Sequence, residues 1–278
     1  MKQEYDFSKG ARGKFFRECA KPHFPVSCEK PVWSGPSGPI GQLLRREAEI
    51  SLEAYRVQPK LAAEQARSER DAAQGGYAHC QLFELVQNGA DALFESAKAP
   101  SILVRLTDKF LYCADGGKPI DEGGVEGLMF DRLSSKRNSA AIGRFGRGFK
   151  STLRVTDSPE YYSRSGSFRF DKVRAEERIS KVASADRYPV LRLPEPIDPL
   201  EEGRKDEELR ELMGWATNIV RLPLRAGAYD DLAKQMRDFP AEFLLLVEHV
   251  RYLTLECGEH SRSFHLHRRD GKLRLDSG

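Results

Sequence analysis

ELVQNGADA, residues 84–92, lies within a longer proline-free run, YAHCQLFELVQNGADALFESA (77–97). Leu82, Leu85, Val86, Ala92 and Leu93 recur there at helical spacing and predict one amphipathic helix. Glu84 and Asn88 are four apart and Asp91 is three further on, so all three share one stripe of that helix. An amide and two carboxylates stacked in this way can hold Mg²⁺, which takes oxygen ligands and keeps several waters. A carboxylate one turn from the ligand can take a proton from an attacking water. The same triplet also suits a polar stripe facing solvent, and taken alone it leaves both readings open.

Working outward, SILVRLT (101–107) and KFLYCAD (109–115) are β-branched or aromatic runs separated by Asp108, which predicts paired strands. The second run ends on Asp115-Gly116-Gly117. An aspartate followed by glycines can simply form a turn. It can also present a carboxylate where backbone closely approaches a flat ligand, ready to accept from the exocyclic amino group of adenine. Further on, IGRFGRGFKS (142–151) carries Gly143, Gly146 and Gly148 ahead of a predicted helix. Backbone N–H groups of such a loop form an anion site. Phe149 separates Gly148 from Lys150, so this is not a P-loop. Ser151 stands where a dinucleotide fingerprint needs its third glycine, and no short strand-to-helix unit precedes the loop.

In this order and spacing, ELVQNGADA, DGGKP (115–119) and IGRFGRGFKS resemble the three sequence boxes of the GHKL superfamily: gyrase, the ninety-kilodalton heat-shock chaperones, histidine kinases and MutL. The resemblance covers residues 77–224, and FELVQNGADAL, DRLSSKRN, GRFGRGFKS and VTDSPEYYSRSGSFRFD are similar to the sacsin-type N-terminal ATPase-like group in particular. It implies an ATP- and Mg²⁺-binding domain of the Bergerat type, an α+β two-layer sandwich whose mixed, mainly antiparallel sheet carries helices on one face. It implies Glu84 as the base that polarises water and Asn88 as the Mg²⁺ ligand. Asp91 would be the acidic residue near the metal and adenine. Asp115 would accept from the adenine amino group, with Gly117 allowing close approach. Gly143, Gly146, Gly148 and Phe149 would bind phosphate through backbone N–H groups, with Arg147 in the same box. Thr217, in WATNIVRLPL (215–224), would reach the adenine side, although Ala216 stands where the family often has glycine. Pro119 replaces the second glycine of the usual DxGxG turn and removes an N–H there.

Between the glycine features, DEGGVEGLMFDRLSSKRNSAA (121–141) is either a solvated loop or a lid over bound nucleotide. In the second case Lys136 or Arg137 would neutralise phosphate charge. Lys150 is a further candidate for phosphate contact, or equally a snorkelling helix residue.

The chain of 278 residues suits one large domain or two small ones, and a net charge of +3 gives no argument for nucleic acid. Its five cysteines (Cys19, Cys28, Cys80, Cys113, Cys257) form no CxxC pair, which argues against a disulfide framework or a zinc site and favours the cytoplasm. No run has membrane-spanning length. His265 and His267 share one side of a predicted strand, with no cysteine or carboxylate at ligand spacing, so a plain surface strand is expected.

Five prolines within residues 1–40 predict an irregular arm and linker, leaving 41–278 as the nucleotide-binding domain. Helices are expected over 41–56, 59–73, 172–182, 206–214 and 228–247, and strands over 160–170, 218–224, 251–257 and 263–269. The ending KLRLDSG suggests a further strand and the N-terminal module of a longer protein. A glutamate at position 84 favours hydrolysis over histidine phosphotransfer within the superfamily. The expected function is slow Mg²⁺-dependent ATP hydrolysis that moves a lid and promotes self-association, feeding a chaperone-like or anti-phage effector. The alternatives are a nucleotide-sensing scaffold and a DNA-processing ATPase.

Overall fold

The structure, a computed structural model, describes residues 32–75, 80–94, 101–130, 147–247, 249–269 and 272–277. Helix α1 (Pro39–Val57) starts with proline in its first turn, where the missing N–H costs nothing, and α2 (Lys60–Gln74) follows after a short break. The expected linker through residue 40 is corrected: Trp33 is buried, its indole N–H donates to the Met213 carbonyl at 3.2 Å, and Ser34 N–H bonds the Arg164 carbonyl at 3.0 Å. An aromatic side chain with a satisfied polar tip is a core anchor, so the folded body begins before α1. Helix α3 (Gln81–Phe94) is the expected amphipathic helix and buries Leu82, Leu85, Val86 and Leu93; α4 (Glu122–Met129), α5 (Arg147–Lys150) and α6 (Lys172–Ile179) come next in the chain.

Among the described residues, nine strands form one sheet: β1 (Ser101–Leu106), β2 (Phe110–Asp115), β3 (Glu160–Ser163), β4 (Phe168–Arg169), β5 (Glu195–Pro196), β6 (Asn218–Pro223), β7 (Tyr252–Cys257), β8 (His260–Arg269) and β9 (Lys272–Ser277). Their order is β5-β4-β3-β6-β2-β1-β7-β8-β9, with every pair antiparallel except β1 and β7. Alternate residues choose the face. Leu111 and Cys113 of β2, Val220 and Leu222 of β6, and Leu253 and Leu255 of β7 join the main core with α3 and α9 (Ala228–Arg237). This is the expected α+β sandwich with a mixed, mainly antiparallel sheet. Among the described residues, no helix is long and apolar enough to cross a membrane.

Three local departures have physical causes. The expected strand over 160–170 is two strands, because Arg164 to Ser167 turn back and Gly166 packs where a Cβ would stand 2.6 Å from Ile40 Cβ. The helix expected over 228–247 stops at Arg237, before Pro240, and continues only as a 3-10 turn over Ala241–Leu246. A short helix, α7 (Pro199–Lys205), precedes the expected one, α8 (Glu207–Met213). Asp198 caps α7, accepting from the Leu200 and Glu201 N–H groups.

The pair α7 and α8 adds cover on the second sheet face, over Tyr112, Ala114, Tyr162 and Ile219. Arg221 of β6 emerges there between the rings of Phe110 and Tyr162, at 5.0 and 5.3 Å. It binds Glu160 at 2.5 Å, Asp206 at 2.6 Å and Glu202 at 2.9 Å, all buried or nearly so. Arg221→Leu would leave Glu160 and Asp206 without their cation and Glu202 with Lys205 alone. We expect a loss of about 3–5 kcal/mol, read as a lower urea midpoint; an unchanged midpoint would mean the cluster contributes nothing net.

Candidate functional site

Helix α3 lies against the end of β2, and a glycine on each element permits the approach. A Cβ at Gly89 of α3 would sit 3.1 Å from Ile102 Cδ1 and 3.6 Å from Asp115 Cβ. A Cβ at Gly117 would fall 2.5 Å from the carbonyl carbon of Ala92 and 2.6 Å from its oxygen, so no other residue fits at that position. The Lys118 N–H then bonds the Ala92 carbonyl at 2.9 Å. The turn after Asp115 is thereby stitched to the last turn of α3.

Asp115 is buried and heads a polar row that crosses three strands. Cross-strand register pairs Asp115 of β2 with Asn218 of β6, and Asn218 with Ser163 of β3. The Asn218 amide donates to Asp115 Oδ1 at 2.9 Å and to the Lys118 carbonyl at 2.9 Å. Its oxygen accepts from the Ser163 hydroxyl at 2.8 Å, and that hydroxyl accepts from the Ile120 N–H at 3.0 Å. Gly117 N–H also donates to Asp115 Oδ1, at 2.8 Å. Among the described residues, both donors therefore use one carboxylate oxygen and leave Oδ2 for a ligand. Burial pushes the Asp115 carboxyl up to about 7, opposed by the Asn218 and Gly117 bonds. Thr217 is buried beside it, its N–H donating to the Asp115 backbone carbonyl at 2.7 Å.

The other half of α3 meets the glycine segment. Helix α5 (Arg147–Lys150) runs into a 3-10 turn over Ser151–Arg154. The Gln81 amide ties α3 to this turn through the Ser151 carbonyl at 3.2 Å. A Cβ at Gly148 would lie 1.7 Å from Glu84 Oε2, so the Glu84 carboxylate rests directly against the Gly148 backbone. Glu84 is half-buried, and desolvation raises its carboxyl above the ordinary range. Phe149 anchors the segment with a fully buried ring, 6.3 Å from that of Phe170.

One helix thus forms a wall with a carboxylate at its glycine-segment end and a hydrogen-bonded aspartate at the other. Glu84 and Ala92 are separated by about 12 Å along the axis, enough for an extended ligand to span both ends. Midway, the Asn88 amide is half-buried and makes no hydrogen bond among the described residues, while Asp91 is buried. An amide oxygen in that position is a donor of the hard type Mg²⁺ prefers, so these residues fit the ion.

The structure therefore gathers Glu84, Asn88, Asp91, Asp115, Gly117, Gly148, Phe149 and Thr217 around α3 and the end of β2. Lys136, Arg137, Gly143 and Gly146 lie outside the described residues, as does the side chain of Arg147. Lys150 departs from the snorkelling role. It is 1 % exposed, so it does not snorkel, and its ammonium donates to Ser68 Oγ of α2 at 3.2 Å. It also stands near Glu69, whose carboxyl burial pushes up to about 7 against the Val190 and Leu191 N–H bonds. A cation drawn to buried acceptors on α2 is part of the scaffold between α2 and α5. Asn218 and Ser163 were missed in the sequence because nothing local distinguishes them. The only trace is Asn218 directly following Thr217 at the head of an apolar strand.

No known family profile matches this sequence. Over 119 residues, 41% of the chain, it is 30% identical to Protein MICRORCHIDIA 1 of Arabidopsis thaliana, and the matched stretch spans 18% of that protein's length. The likeness is distant and partial and points no further than the GHKL class of ATP-binding domain.

Proposed function

We propose that this domain binds ATP with Mg²⁺ and hydrolyses it slowly, as a GHKL-type ATPase module closest to the sacsin-like group. The observation that carries this is Asp115: a buried carboxylate with one oxygen saturated and the other left open, fixed beside α3 by Gly89 and Gly117. Such a group is an acceptor for a flat, amino-bearing base. The distant likeness to a GHKL ATPase supports the same class of ligand.

In this reading adenine donates to Asp115 Oδ2, and the phosphates run along α3 toward Gly148. Asn88 would hold Mg²⁺, whose contribution is to neutralise phosphate charge. Asp91 would orient the waters around it. Glu84 takes the proton as a water oxygen bonds to the γ-phosphorus; the bond from that phosphorus to the β-bridging oxygen breaks and ADP leaves. The Gly148 and Phe149 N–H groups, at the start of a helical turn, would receive the charge that develops. Lys136 and Arg137, on a segment closing over the nucleotide, would assist. Closure would favour self-association, and through it a chaperone-like or defensive output.

Calorimetric titration with a non-hydrolysable ATP analogue tests the reading. We expect one site per chain, with affinity that falls when Mg²⁺ is withheld. No heat of binding to well-folded protein at millimolar analogue would overturn it.

A further inference from the structure

The last two strands assemble a second constellation, far in sequence from the α3 site. His265 and His267 alternate with Phe264 and Leu266 on β8. Phe264 and Leu266 enter the core, so the two imidazoles lie on the opposite face of the sheet. The sequence offered no carboxylate at ligand spacing. Register supplies one: β9 pairs antiparallel with β8, and Asp276 falls directly across from His265.

The three side chains converge. One ligand atom from each lies within 4.8 Å of the other two. His267 Nδ1 approaches Asp276 Oδ2 at 3.5 Å without completing a hydrogen bond, although that nitrogen is shielded from solvent. The two imidazole rings are 5.0 Å apart. The Tyr252 ring of β7 stacks on His265 at 4.5 Å and 6°, which fixes the plane of that imidazole. A shielded ring nitrogen that faces a carboxylate but lacks a bond to it is poorly satisfied by protein alone. In tetrahedral Zn²⁺ sites, ligand bonds of about 2.0–2.2 Å bring donors to roughly 3.4 Å from one another. Small rotations of His265 and Asp276 would close the remaining gap.

We propose that His265, His267 and Asp276 form a site for a borderline-soft divalent metal ion, of which Zn²⁺ is the probe. Two imidazoles and one carboxylate leave the fourth tetrahedral position open to water or an outside ligand. Imidazole donors suit Zn²⁺ and its transition-metal neighbours, whereas Mg²⁺ prefers the all-oxygen set near Asn88. The bound ion would tie β8 to β9 through side chains on the face opposite the core, adding to the backbone ladder and the one apolar face. Arg274 stands across from His267 in the register. Its positive charge opposes a dication, so binding is expected to be reversible and weaker than at a closed four-ligand site.

The test is a Zn²⁺ titration of the tag-free chain against a chromophoric chelator, with Mg²⁺ in excess so that hard-oxygen sites are filled. Wild type should take up one equivalent. His267→Gln and Asp276→Asn should each weaken uptake more than about tenfold, and the pair His265→Gln with His267→Gln should eliminate it. All forms keep the same cysteines, so thiol binding cancels in the comparison. Cobalt should give wild type the visible bands of a four-coordinate site, absent from the double variant. These side chains lie off the core, and unchanged circular dichroism of the metal-free variants would confirm that they fold. Equal Zn²⁺ affinity in wild type and double variant, or no uptake by wild type, would overturn the site. Neither result bears on ATP binding, which uses different residues.

Discussion

Asp115→Asn is expected to weaken binding of an ATP analogue by about 10²–10⁴-fold while the fold persists. The asparagine oxygen can keep both the Gly117 and Asn218 bonds, which converge on Oδ1 in wild type. The atom left facing the ligand is then an NH₂ group, a donor meeting a donor. The loss combines a hydrogen bond to a charged acceptor with a buried donor left unmet, and the two together give that range.

Stability should move the other way. The Asp115 carboxyl rises from its ordinary 3.8 to about 7 on folding, so between those pH values the folded chain holds a proton that the unfolded chain has lost. Its stabilising contribution is complete below the unfolded value and is lost as pH rises through about 7. Asparagine has no proton to lose, so the variant should gain on wild type as pH rises toward about 8. Binding in wild type needs the ionised form, because a proton on Asp115 would occupy Oδ2. Affinity should therefore climb through pH about 7, with proton release visible as a buffer-dependent heat. Equal affinity of the variant and wild type would remove the adenine assignment.

How much of this was legible beforehand follows from the range of each signal. Helix α3 was legible because its apolar period is local, and the stripe of Glu84, Asn88 and Asp91 follows from helix geometry alone. The β1–β2 hairpin was legible for the same reason. Asn218 and Ser163 were not, because their meaning depends on the β2–β6–β3 register between residues more than fifty positions apart. Lys150 was not legible as a buried residue: a lysine after a glycine loop suggests phosphate or an exposed stem, and buried acceptors on α2 draw it inward. Asp276 shows the same limit, since only strand pairing brings it to the histidines. Local pattern conveyed the elements and the glycines. Pairing across the sheet decided which polar residues share a site.

Glu84→Ala separates binding from chemistry. Turnover is expected to fall by about 10²–10⁴-fold, while affinity for the analogue stays near that of wild type. The geometry argues for a chemical role. The carboxylate is half-buried, sits against Gly148 at the end of α3 away from Asp115, and burial raises its carboxyl. A raised carboxyl is a stronger base once ionised, so the rate should fall as pH drops through its titration. Gly148→Ala offers a second approach to the same group. Its methyl would occupy the place of Glu84 Oε2, and the flexible carboxylate, not the backbone, must yield. Folding should therefore survive and turnover should drop in the same direction as in Glu84→Ala. The decisive comparison is steady-state ADP release by the three proteins at saturating ATP. Turnover that survives both substitutions would remove Glu84 as the base. Binding without measurable turnover in wild type would leave Asp115 as a sensor of nucleotide, with output driven by occupancy alone.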